Sequence, residues 1–219
     1  MKVKIAKEAG FCFGVKRAMK MAWDELELNS DIYALGPLIH NKQAVQRYED
    51  KGLVTVDTIN DIPNDKSVII RSHGVSKKVF DYLTDKGLIV INATCPFVTN
   101  IQKKVNKFSN EGYKIVILGD ENHPEVIGIN GWCNDSAIIT KDGSFNEKLS
   151  GKVCVVSQTT EKEENWDKTI NNLSINTYDD LKSFNTICAA TEERQKSVYE
   201  LSKKVDFMVV VGGKHSSNT

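Results

Sequence analysis

Short apolar runs separated by polar, helix-forming stretches recur along almost the whole chain. VKIA (3–6), IYAL (32–35), LVTV (53–56), VII (68–70), LIVI (88–91), KIVILG (114–119), AIIT (137–140), VCVVS (153–157) and FMVVV (207–211) are continuous rather than alternating. That pattern predicts strands buried on both faces, as in a parallel sheet. Between them the apolar spacing becomes helical: Val15, Ala18, Met19, Ala22, Trp23 and Leu26 share one face, as do Val98, Ile101, Val105 and Phe108. Ser76 ahead of KKVFDYL, Pro96, and Thr160 with Glu163 in capping-box spacing predict helix starts. Gly52 and Gly87 predict helix ends. The alternation makes this an α/β chain with helices flanking parallel strands.

The pattern divides near Cys95 and again near Cys188, giving one α/β unit over 1–95 and a second over 96–188. A third begins in 189–219 with the helical EERQKSVYELSKKV and the strand-like FMVVV. One helix and one strand cannot cover both faces of a parallel sheet. The third unit is therefore expected to be incomplete, finished by further polypeptide or by another element.

A chain of 219 residues, 40% of them hydrophobic, buries a sizeable core without disulfide staples. Lys+Arg and Asp+Glu are both 29, and no basic stripe interleaved with aromatics points to nucleic acid. An anionic ligand must be met by local groups. MKVKIAKEAG has too short an apolar segment for a secretory signal, and no run reaches the roughly 18 apolar residues of a membrane span. The expected location is the cytoplasm. There, the five cysteines at 12, 95, 133, 154 and 188 remain thiols.

Three of these repeat one placement: Cys12 in GFCFG, Cys95 in NATCPFVT and Cys188 in NTICAATEE each stand directly before a helix. Helix starts favour thiolate, the metal-binding form. Cys154, among valines, and Cys133 read as core residues. Three converging thiols suit either a zinc site closed by a histidine, in a binding module without catalysis, or an iron-sulfur cubane with one iron lacking a protein ligand. His40, His73, His123 and His215 each follow an apolar run and a short turn. Converging on one rim, such imidazoles suit a compact anion such as a diphosphate. Glu125, two residues past His123, becomes a proton donor if burial keeps it protonated. Ser216, Ser217 and Asn218 in GGKHSSNT offer donors to phosphate oxygens, without P-loop spacing.

GFCFGVKRA, HNKQAV, SHGV, NATCPFV, HPEVIG, SQTT, TICAATEERQ and VGGKHSSN together resemble one family: the 4-hydroxy-3-methylbut-2-enyl diphosphate reductases of the methylerythritol phosphate route to isoprenoids. The resemblance runs the length of the chain. It implies three similar α/β units arranged pseudo-threefold around a central [4Fe-4S] cluster held by Cys12, Cys95 and Cys188. It further implies a diphosphate pocket lined by His40, His73, His123, Ser216, Ser217 and Asn218, with Glu125, His123 and Thr159 as the catalytic set. The implied reaction is two-electron removal of the substrate hydroxyl, with ferredoxin or flavodoxin as electron donor. Departures are specific. The family's later Gly-Ala-Ser segment has no counterpart here, Asp120 and Asn122 differ from the usual GHxGHPE wording, and His215 stands where asparagine is common. An inactive scaffold that holds no cluster is the remaining expectation.

Overall fold

The structure is a computed structural model, and it describes all residues except 1, 30, 146, 147, 175–177, 214, 215, 217 and 218. Among the described residues, eight strands form two parallel sheets of four. The first contains β1 (Ile32–Leu35), β2 (Leu53–Val56), β3 (Ser67–Ile70) and β4 (Ile89–Asn92) in the order β2-β1-β3-β4. The second contains β5 (Lys114–Leu118), β6 (Ile138–Thr140), β7 (Lys152–Ser157) and β8 (Asp180–Ser183) in the order β6-β5-β7-β8. Both sheets therefore repeat one order, and in both the order of strand addition turns back between the first and third strands, which pair in parallel.

The helices repeat as well. α1 (Phe13–Leu28) and α4 (Pro96–Asn110) precede the two sheets, and α7 (Ala189–Ser202) follows the second. α2 (Lys42–Glu49) and α3 (Lys77–Asp85) cross between strands of the first sheet; α5 (Pro124–Asn130) and α6 (Glu163–Ser174) do so in the second. Each sheet is covered on both faces. In the first sheet, Ala18, Ala22 and Leu26 of α1 pack with Ile32 and Ile69, while Leu83 of α3 packs with Val68 and Ile70 on the other face. In the second, Ile101 and Val105 of α4 meet Ile115 and Ile117, while Trp166 and Leu173 of α6 meet Val116 and Val155. This double coverage is why the central strands read as unbroken apolar runs.

Three sequence expectations need correction. VKIA forms no strand: Val3 and Ile5 are 75% and 81% exposed, with no ladder beside them among the described residues. FMVVV is likewise irregular, with Phe207 and Val211 about nine-tenths exposed. Apolar content alone makes no strand without a neighbour to accept its backbone hydrogen bonds. Thr160 does not cap α6, which starts at Glu163; its Oγ1 instead accepts from Gln158 Nε2 at 2.7 Å. The DLKS strand β8 was not expected.

Candidate functional site

Where strand order reverses, the loops leaving adjacent strand ends diverge and open a crevice. In the first sheet those loops carry His40 after β1 and His73 after β3; in the second, His123 after β5 and Thr159 after β7. The two crevices meet because small residues let the units approach closely. A Cβ on Gly128 of α5 would lie 3.6 Å from the Gly74 backbone, and one on Gly131 would collide with Ser76. Trp132 Nε1 and Gln102 Nε2 both donate to the Val75 carbonyl, at 3.0 and 3.3 Å. Three imidazoles from two sheets then form one cluster, with ring centroids 4.7 Å (His40 and His73), 5.5 Å (His73 and His123) and 6.0 Å (His40 and His123) apart.

Their charge follows from their surroundings. His123 caps α5, its Nδ1 accepting from the Glu125 N–H at 3.2 Å, so in the neutral ring Nε2 carries the hydrogen. Burial pushes its pKa down to about 4; His40 and Arg71 add to the effect and Asp120 opposes it. His73 is held well below the usual histidine value by burial first, then by Arg71, His40 and His123. Both rings are neutral near pH 7.

Glu125 is buried, and its carboxylate is fixed by Thr159: the Thr159 N–H donates to Oε1 and the Thr159 hydroxyl to Oε2, each at 2.7 Å. Burial raises the Glu125 pKa, with the two Thr159 bonds pulling the other way. The Thr159 carbonyl accepts from the Cys188 N–H at 2.9 Å and from the Thr191 hydroxyl at 3.1 Å. One threonine thus links the acid to the third cysteine.

Cys12, Cys95 and Cys188 stand at the N-cap positions of α1, α4 and α7, and the Cys12 and Cys188 sulfurs make no capping hydrogen bond. A Cβ on Gly14 would lie 2.6 Å from Cys95 Sγ and 4.0 Å from Cys12 Sγ, so both sulfurs lie within 4.0 Å of one point. Arg194 ties the third helix to the first cysteine's loop, donating to the Gly10 carbonyl at 3.1 Å. All three thiols are free and half-buried. At Cys95 burial outweighs the expected pull of the helix start toward thiolate. Burial raises its pKa, the Phe97 and Val98 N–H groups lower it less, and Cys12 and Cys188 raise it further. Cys133 and Cys154 are buried in the core, as expected.

These three sulfurs line one cavity with His40, His73, His123, Glu125, Thr159 and Ser216. Among the described residues the one set of three whose ligand atoms all lie within 4.8 Å of one another is the histidine cluster. The sulfurs are thus more widely set than one tetrahedral zinc requires, a spacing that suits a multi-iron cluster. Ser217, Asn218 and His215 lie outside the described residues. Sequence reading missed Arg71, whose guanidinium lies against Gly36, and Arg194, Thr191 and Gly14, which border the cysteines. A glycine two residues past Cys12 was the available signal, since a close sulfur requires the missing Cβ.

Residues 3–219 match the family profile described as LytB protein. A curated relative in Clostridioides difficile, named 4-hydroxy-3-methylbut-2-enyl diphosphate reductase, is 55% identical over 224 residues, spanning 100% of this chain and 80% of its own length. A Clostridium perfringens protein of the same name is 57% identical over 220 residues, covering 99% of this chain and 78% of its own. Among solved structures, one titled (E)-4-hydroxy-3-methyl-but-2-enyl diphosphate reductase, the terminal enzyme of the non-mevalonate pathway, aligns with TM-score 0.75 at 39% identity, over 99% of this chain and 78% of that one. A Plasmodium falciparum reductase aligns with TM-score 0.84 at 29% identity, covering 95% of this chain and 68% of that one.

Proposed function

The chain belongs to the LytB protein family, and from that premise we propose that it is a 4-hydroxy-3-methylbut-2-enyl diphosphate reductase. The reaction adds two electrons and two protons to the allylic alcohol, releasing water and leaving isopentenyl or dimethylallyl diphosphate. The observation that carries this reading is the single cavity shared by three helix-start cysteines, three histidines and a buried Glu125. Cys12, Cys95 and Cys188 would hold a [4Fe-4S] cluster. When bound, it supplies electrons and, at an iron without a protein ligand, Lewis acidity.

The remaining work falls to side chains. The histidine cluster and Ser216 take the diphosphate, with Ser217 and Asn218 assigned there on the family resemblance alone. Diphosphate binding holds a short substrate with its alcohol toward the sulfurs. Glu125 has its pKa raised by burial, and in its protonated form the 2.7 Å contact reverses, so that Oε2–H donates to Thr159 Oγ1. Its proton passes through that hydroxyl and lets the substrate hydroxyl depart as water. Electrons come from a ferredoxin or flavodoxin in the cytoplasm; no described helix is long and apolar enough to cross a membrane. Cys95 and Cys188 mark the joins between the α/β units 1–95, 96–188 and 189–219.

The test is anaerobic turnover with reduced methyl viologen as donor. The expected result is loss of 4-hydroxy-3-methylbut-2-enyl diphosphate with oxidation of two viologens per molecule consumed. Iron-loaded protein that leaves the substrate untouched would overturn the reading.

A further inference from the structure

Three half-buried imidazoles with nitrogens all within 4.8 Å of one another are as apt to hold a divalent metal as an anion. Nothing in the rings themselves decides between the two. The deciding group lies behind them. Arg71 leaves β3 two residues before His73, and its guanidinium lies against the turn at Gly36, where a Cβ would sit 2.8 Å from Nη1 and 3.3 Å from Cζ. Gly36 has φ +69° and opens the loop that carries His40. The same turn therefore delivers one imidazole and leaves room for the cation beneath it.

Arg71 Nε is buried without a hydrogen-bond partner, and burial lowers the pKa of the group with no carboxylate opposing it among the described residues. A partly buried guanidinium with an unpaired N–H is unfavourable unless a ligand supplies the missing negative charge. We propose that Arg71 is the fixed positive charge of the three-histidine site, a positioning residue that makes the site take a diphosphate and refuse a divalent cation. This rests on the diphosphate reading above and adds to it the group that sets selectivity. The charged groups acting on the rings agree. Arg71 and His40 bear on both His73 and His123, and the acid that opposes them at His123, Asp120, is shared with Lys141 at 3.0 Å. An arriving diphosphate reverses that balance and lets the imidazoles protonate, so binding takes up protons and strengthens as pH falls.

The experiment titrates inorganic pyrophosphate and, separately, cobalt(II) into cluster-loaded protein, comparing the parent with Arg71→Met and Arg71→Lys. Arg71→Met should weaken pyrophosphate by about 10- to 100-fold. It should raise KM for the substrate by a similar factor with little change in kcat. It should also acquire a cobalt–imidazole absorption band absent from the parent, and Arg71→Lys should restore most of the pyrophosphate affinity. If Arg71→Met does not fold, Arg71→Gln carries the same comparison. Pyrophosphate affinity unchanged in a folded, cluster-loaded Arg71→Met or Arg71→Gln protein would overturn the role of Arg71 alone. A parent that binds no pyrophosphate would overturn the diphosphate reading beneath it.

Discussion

Glu125 is the residue whose chemistry depends most on where the fold puts it. In water its carboxyl would be ionised at neutral pH; sealed beside Thr159, it holds its proton to higher pH. Glu125→Gln keeps both contacts to Thr159 in shape but removes the proton, so turnover should fall by about 10²- to 10⁴-fold with substrate affinity nearly unchanged. Anaerobic steady-state kinetics checks this, and parent-like turnover would refute the proton role. Stability gives an independent sign. A carboxyl whose pKa is raised by folding stabilises fully below its unfolded value of about 4.3 and loses that contribution as pH rises through the folded value. The Gln variant has no such group, so its melting temperature should decline less than the parent's between acid and neutral pH. Glu125 was legible in the sequence because it shares a loop with His123. Arg71 was not, because an arginine at a strand exit reads as a surface cation until the Gly36 turn buries it.

Among the elements, central strands were legible and edges were not. SVII and KVCVVS sit between neighbours and under helices on both faces, so nearly every position is apolar or small. Among the described residues β8 pairs with β7 at the sheet edge and stays half-exposed, so DLKS needs no apolar run and gave no signal. FMVVV gave a signal with no ladder to receive it. The helix starts were the most readable feature, because the same Cys-then-helix placement recurs at α1, α4 and α7. At α1 the fit is tight enough to test. Gly14→Ala should gain up to about 1 kcal/mol in helix propensity yet push its methyl into Cys95 Sγ, an overpacking of about 1–3 kcal/mol. The expected outcome is an α/β circular dichroism spectrum like the parent's and cluster affinity lower by about 10- to 100-fold. Iron retained at the parent level through anaerobic gel filtration would show that the close approach does not matter.

For the whole molecule, the site exists only through the meeting of segments far apart in the chain. Two sheets of the same strand order direct their divided crevices at each other, and packing at Gly128, Gly131 and Trp132 sets how closely the histidines approach. The sequence could signal the repeat, since the same element pattern occurs twice, but not the docking of one repeat on the other, which depends on glycines with ordinary helical surroundings. The cysteines converge by the same docking, through Thr159 to Cys188 and through Ser72 to Cys95. The most direct test is therefore the iron and acid-labile sulfide content of this chain after anaerobic preparation, beside Cys12→Ser, Cys95→Ser and Cys188→Ser. About four irons and four sulfides per chain, with each serine variant depleted, is the predicted result. One zinc without sulfide, no bound metal, or a cluster undiminished in the serine variants would contradict it.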